Sequence, residues 1–309
     1  MKYHRHVVAL AIPLLGLLSA CSNKEPEPVA EVAAPAAEAP AASEWTYLLD
    51  EKMTQWTKYL GFPLPTTEIK DLPKDEKGNY TQPIGFDKDE RGVFTTSMVN
   101  GEPVLHVTGE IYGSVHTKQE FENYHLVVQF KWGTKKWEPR LTEPLDTGIL
   151  YHVIGDHGVD YWKAWALSQE FQIMEHSTGD WWQIAGSQID IRCAKAEGAT
   201  VPMYDPKAPL ISYGPGGAGI TCLRGKDTEK PNGEWNTLDL ITYGDKSLHI
   251  VNGEVVMALS NSRYTKDGQV IPLTKGKILL QSEAGEAFFK GVKIKPITGI
   301  PAEYQSYFN

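Results

Sequence analysis

From residue 93 onward, apolar and polar positions of this chain alternate with a period of two. Such alternation sends successive side chains to opposite faces of a strand. Residues 93–99, 104–108, 113–117 and 124–132 each alternate or carry β-branched and aromatic side chains. Residues 148–153 and 169–175 continue the pattern, and the last quarter adds 248–256, 276–283 and 287–295. Turn dipeptides fall between these runs: Asn100-Gly101, Asn252-Gly253, Asp267-Gly268 and Ala284-Gly285. Helical periodicity is confined to residues 44–60. The pattern predicts an all-β fold, a sandwich or jelly roll with long loops. No internal repeat of propeller length is present.

Two stretches interrupt the alternation. Residues 62–89 are rich in Pro, Lys and Asp, and residues 194–220 carry Pro202, Pro206, Pro209 and the run Gly214-Pro215-Gly216-Gly217-Ala218-Gly219. Both read as long loops. The glycine run lacks the lysine and hydroxyl residue of a phosphate-binding loop, and no strand–loop–helix setting surrounds it.

The N-terminus reads as a targeting segment. Lys2, His4, Arg5 and His6 precede an apolar run over residues 7–18, which ends in Leu18-Ser19-Ala20-Cys21. This is the pattern of a bacterial lipoprotein signal over residues 1–20, with Cys21 lipidated. An ordinary secretory signal is the alternative. Ser22, rather than an aspartate, after the cysteine points to the outer membrane, facing the periplasm or the surface. Residues 21–43 then form a Pro/Ala/Glu tether with no large apolar side chains to bury. The globular domain is expected over residues 44–309.

The formal net charge is −9 and becomes more negative without Lys2 and Arg5. An acidic chain without basic runs argues against nucleic acid as a partner. Cys193 and Cys222 are expected to pair as a disulfide in an oxidising compartment, two buried thiols being the alternative.

Candidate chemistry gathers on two strands. Glu170 and Gln172 share one face of the 169–175 run, opposite Phe171 and Ile173, whose face suits a core. Gln281 and Glu283 share a face in the same way, and Tyr151 and His152 follow the Thr147-Gly148 turn. Carboxylates, amides and a histidine on one sheet face suit sugar hydroxyls, acid/base work or an oxygen/nitrogen metal site. Glu175 and His176 are candidate ligands for such a metal. Trp182, beside Trp181, is a candidate stacking surface, and Arg224 a candidate oxyanion or hydroxyl binder. Each has a plainer reading as a packed tryptophan, a solvated carboxylate or a surface ion pair.

Taken in order, Gly148-Ile149-Leu150-Tyr151, Glu170-Phe171-Gln172-Ile173, Gly233-Glu234-Trp235-Asn236, Val251-Asn252-Gly253, Leu280-Gln281-Ser282-Glu283 and Phe289-Lys290-Gly291-Val292-Lys293-Ile294 resemble the bacterial 3-keto-disaccharide hydrolase family. That family is also described as 3-keto-glucoside 1,2-lyase and 3-keto-2-hydroxy-glucal hydratase. The resemblance runs over about residues 113–297. It implies a concanavalin-like jelly roll and a 3-keto-glycoside substrate, the ketone being supplied by a partner oxidoreductase. A C3 ketone acidifies the C2 proton, so a base can drive loss of the C1 substituent before water adds back. On this reading His152 or Glu170 is the base, and Arg224 or a divalent metal ion stabilises the enolate. Tyr151, Gln172, Trp182, Gln281 and Glu283 bind substrate. The rivals are a two-carboxylate glycoside hydrolase on the same fold and a non-catalytic glycan-binding lipoprotein. This chain departs from the family pattern in its 62–89 and 194–220 insertions and in Thr147 before Gly148.

Overall fold

The computed structural model describes residues 44–159 and 161–309, with the side chains of Tyr161 and Trp162 left aside. Residues 1–43, and with them Cys21 and the tether, lie outside the described residues. In chain order the first strands are β1 (Thr46–Tyr47), β2 (Trp56–Leu60), β3 (Gly85–Phe86), β4 (Phe94–Val99), β5 (Glu102–Val107), β6 (Gly113–Thr117) and β7 (Tyr124–Lys136). Then come β8 (Asp146–Ile154), the short helix α1 (Tyr161–Ala164), β9 (Leu167–Met174), β10 (Trp181–Ile184), β11 (Ser187–Ala194), β12 (Met203–Tyr204), β13 (Leu210–Tyr213) and β14 (Thr221–Cys222). The chain closes with β15 (Asn236–Tyr243), β16 (Lys246–Val251), β17 (Glu254–Lys266), β18 (Gln269–Pro272), β19 (Lys277–Ser282), β20 (Gly285–Pro296) and a 3-10 turn over Ala302–Phe308.

These strands form two sheets, and every named strand pair is antiparallel. The larger follows the order β12-β11-β17-β16-β15-β7-β20-β5-β4, and the smaller β14-β10-β9-β8-β19-β6-β2-β3. Their inner faces interdigitate through Leu126, Val128, Phe130, Leu238, Leu240 and Phe289 on one side. Val115, Ile149, Tyr151, Phe171, Ile173 and Leu280 meet them from the other. The all-β jelly-roll sandwich expected from the alternation is what forms. All of the described residues belong to one compact unit.

The helix expected over residues 44–60 does not form. Asp50 accepts hydrogen bonds from the backbone of Lys52 and Thr54, closing a turn in which Met53 adopts φ 53°. On either side, Thr46–Tyr47 joins β20 and Trp56–Leu60 pairs with β6. The aromatic and β-branched content of the segment favours the strand once an edge is available. Both long loops carry short pairings, β3 within or beside the first and β12 and β13 within the second. Cys193 and Cys222 form a disulfide that closes the second.

Candidate functional site

The outer, non-core face of the smaller sheet carries the chemistry. Register brings Gly148 opposite Gln172 and Leu150 opposite Glu170 between β8 and β9. Leu279 and Leu280 pair with Leu150 and Ile149, which carries Gln281 alongside Gly148. Gln281 in turn pairs with Ser114, and Ser114 with Tyr59. One polar row thus crosses the sheet. Gln172 and Gln281 share this face with Glu170, as period two requires, and Glu283, in the bend just after β19, lies close enough to feel the charge of Glu170.

Gly148 makes the row possible. A Cβ at this position would stand 2.1 Å from Gln281 Oε1 and 3.0 Å from Glu170 Oε1. Gln281 is fully buried, and neither its Nε2 nor its Oε1 has a hydrogen-bond partner among the described residues. Gln172 Oε1 and Ser114 Oγ are likewise buried and unpartnered. Each such atom costs about 1–3 kcal/mol, so a row of them is retained at a loss in stability.

Beside the amides stands a carboxylate cluster. Glu170 and Glu283 are 3% and 6% exposed, and Asp146 is buried at the start of β8. Arg140, from the loop before β8, places Nη2 2.8 Å from Asp146 Oδ2 and Nη1 3.8 Å from Glu283 Oε1. Burial raises the Asp146 carboxyl to about 7, against the opposing pull of Arg140 and a Thr147 backbone hydrogen bond. Glu283 is pushed well above the ordinary carboxylate range, first by burial, then by the charges of Asp146 and Glu170. Close to neutral pH the cluster therefore holds a proton. Such a group can donate to a leaving oxygen while another carboxylate accepts.

The far wall is built from β10 and the chain after β14. Trp181 turns into the core, where its Nε1 donates to Gln169 Oε1 at 2.7 Å. Trp182, its neighbour, turns to the opposite face, with a buried indole Nε1 that has no partner. Asp180 Oδ1 accepts from the Arg224 backbone N at 2.7 Å and from Arg224 Nη1 at 3.1 Å. Arg224 also approaches Asp227 and donates to the His176 carbonyl. Asp180 Oδ2 and Arg224 Nε remain unpartnered. Arg224 is thus an ion-pair member held to Asp180, whose backbone carbonyl accepts from the Gln172 N–H at 3.1 Å.

Other expected members fall elsewhere. Tyr151 points into the core, its hydroxyl 2.8 Å from Ser247 Oγ and 3.3 Å from His249 Nε2 of the larger sheet. Strict alternation would put His152 beside Gly148 and Leu150. A bulge after Tyr151, with His152 at φ 54°, turns its ring inward instead, edge-on to Tyr124 and Tyr151. Burial lowers its pKa to about 4, a hydrogen bond to the Leu273 backbone opposing the shift. It cannot reach the Glu170 face, and the assignment of His152 as base is corrected.

Glu175 and His176 do not make a metal pair. Glu175 accepts from Asn232 Nδ2 at 2.6 Å and from the Leu145 backbone at 3.2 Å. Burial opposes, but these hydrogen bonds prevail and lower its pKa. His176 is exposed, at φ 64°, and engages through its backbone. Among the described residues no three His, Cys, Asp or Glu side chains are disposed to hold a metal ion. The cation within the carboxylate cluster is Arg140, and no step below is routed through a metal.

Arg140, Asp146 and Asp180 are the site residues that the alternation argument missed. Asp146 carried a signal, for it lies two residues before Gly148 and so shares its face.

Amides, carboxylates and an indole converge on this jelly-roll sheet face, a donor and acceptor set suited to carbohydrate hydroxyls. The chain belongs to the 3-keto-alpha-glucoside-1,2-lyase-like domain family, whose sequence profile matches residues 44–295. Comparison with curated proteins finds no significant match. Solved structures with related architecture include a Parabacteroides distasonis protein carrying a provisional glycosyl hydrolase designation. It is 16% identical, with 82% of this chain and 100% of that chain covered and a TM-score of 0.42. A Bacillus licheniformis β-glucanase is 11% identical over 84% of this chain and 100% of its own, with a TM-score of 0.38. A Bacillus subtilis carbohydrate binding module is 10% identical over 65% and 91%, also at 0.38. Likenesses this distant carry no functional argument.

Proposed function

We propose that the domain cleaves the glycosidic bond of 3-keto-glycosides by elimination across C1 and C2, followed by hydration. The observation that carries this reading is the buried carboxylate cluster. Burial, then the charges of its neighbours Asp146 and Glu170, push Glu283 toward its protonated form. Glu170 removes the C2 proton, and the electron pair moves onto the C3 oxygen as an enolate. Collapse of the enolate restores the ketone, forms the C1–C2 double bond and breaks the bond from C1 to the leaving oxygen. Glu283 protonates that oxygen. Water then adds its oxygen to C1, Glu283 taking the released proton and Glu170 returning one to C2. The net result is hydrolysis, without oxidation or reduction.

Arg224 Nε and Trp182 Nε1 supply donors for the developing enolate and neighbouring hydroxyls, and Gln172 and Gln281 orient the ring. An oxidoreductase acting earlier would supply the ketone. Anchoring through Cys21, with the domain held off the outer membrane by the tether, completes the proposal.

Glu170→Gln tests it. Turnover of a 3-keto-glucoside should fall roughly 10²–10⁴-fold, and full retained turnover would overturn the assignment.

A further inference from the structure

A second chamber opens at the other end of the same sheet. Tyr59, paired with Phe86 and Ser114, brings four rings into contact: Tyr59, Phe86, His116 and His157. His116 and His157 lie 4.4 Å apart between centroids, and Phe86 stands edge-on to both, at 5.9 and 5.5 Å. With Glu120, Asp156 and Lys277 they line a cavity of about 280 Å³. That is near the lower limit of ligand pockets, roughly 300–1,000 Å³, so the occupant is of single-ring size.

The chamber is separate from the carboxylate cluster. Three strand spacings, about 14 Å at roughly 4.8 Å each, separate β9, which carries Glu170, from β6, which carries His116. The apolar group Leu150, Leu279, Tyr112 and Trp165 lies on this face as well.

Two observations point to a ligand. His116 is only 2% exposed, yet its Nδ1 has no partner, and His157 Nδ1 is buried and unpartnered too. Phe86 is 51% exposed, offering apolar area at the mouth. A neutral imidazole presents one donor and one acceptor. Burial, with the charge of Lys277 nearby, keeps both rings neutral. Two such rings, carboxylates at Glu120 and Asp156, an ammonium and an aromatic ring match an uncharged polyol with one apolar face.

We propose that this chamber is an accessory binding site for a single pyranose ring, formed by Phe86, His116 and His157. It binds without chemistry and does not depend on the elimination mechanism.

The test is an NMR titration of the full domain with methyl glucopyranoside and methyl galactopyranoside, following the imidazole C–H resonances. Saturable shifts of His116 and His157 with at least one of these sugars are expected. Phe86→Ala and, separately, His157→Gln should weaken that binding about tenfold or more. Both variants should keep wild-type turnover of a 3-keto-glucoside, because neither residue touches the carboxylate cluster. Unmoved histidine resonances with both sugars, or undiminished affinity in both variants, would overturn the proposal. Loss of 3-keto-glucoside turnover in Glu170→Gln with these shifts intact separates the two sites.

Discussion

Gly148 and Gln281 face each other across β8 and β19, and a single methyl group on Gly148 would stand 2.1 Å from the Gln281 amide oxygen. Because Gln281 is fully buried, that oxygen has little room to retreat. Gly148→Ala should therefore displace both Gln281 and Glu170. Turnover should fall by about tenfold or more, while unfolding free energy drops by about 1–3 kcal/mol. Steady-state kinetics alongside urea denaturation separates the two effects.

Gln281 itself should trade stability for function. Its unpartnered buried amide is costly, and an apolar side chain of similar shape removes that cost. Gln281→Met is expected to raise unfolding free energy by about 1 kcal/mol while weakening substrate binding. A melting temperature that fell together with activity would show that the amide is held by protein contacts instead.

The proton on Glu283 sets a pH limb. Its pKa is raised, so the acid form exists below that raised value and is lost as pH climbs through it. Turnover of a 3-keto-glucoside with a poor leaving group should decline on the alkaline side. Glu283→Gln should lower the rate and abolish that limb. A nitrophenolate leaving group, which needs little protonation, should restore much of the lost rate.

Acid stability follows from the buried histidines. His152 and His249 are neutral in the fold, with pKa values lowered to about 4 and about 3 by burial. The unfolded chain binds protons at these sites near pH 6.5, so the stability they contribute is present above that pH. It is lost as pH falls toward the folded values. His249 stacks on Phe171 at 4.1 Å, and His249→Phe should reduce the acid slope by about 1.4 kcal/mol per pH unit. Thermal unfolding from pH 7 to pH 4 measures it.

The disulfide holds the second loop near the site. Cys222 lies two residues before Arg224, and the bridge spans 29 residues. Reduction, or Cys193→Ala with Cys222→Ala, should cost about 3–4 kcal/mol. KM should rise more than kcat falls, because the segment that carries Arg224 loses one tether and keeps only the hydrogen bonds to Asp180 and the His176 carbonyl.

Much of this arrangement was legible from alternation alone. Glu170 and Gln172 sit two residues apart on a strand that forms as expected, so their shared face follows from the pleat, whereas β19 ends at Ser282 and Glu283 joins the cluster from the bend that follows. His152 fails the same rule, because one residue at positive φ reverses its direction, and no local residue choice announces that bulge. Arg140 was hidden for another reason: it comes from an irregular loop, whose placement over the sheet only tertiary packing decides. The 44–60 segment shows the limit for helices. Its strands owe their existence to partners distant in sequence, β20 and β6.

The central claim is that the C3 ketone is required, because it alone makes the C2 proton removable. The most direct measurement compares one glucoside with its 3-keto form, incubated with the soluble domain and followed by product NMR, with and without a chelator. Cleavage of the 3-keto form only is the predicted result, and the chelator arm reports whether a divalent metal ion takes part. Cleavage of the unoxidised glucoside at a comparable rate would contradict the account and point to two-carboxylate hydrolysis.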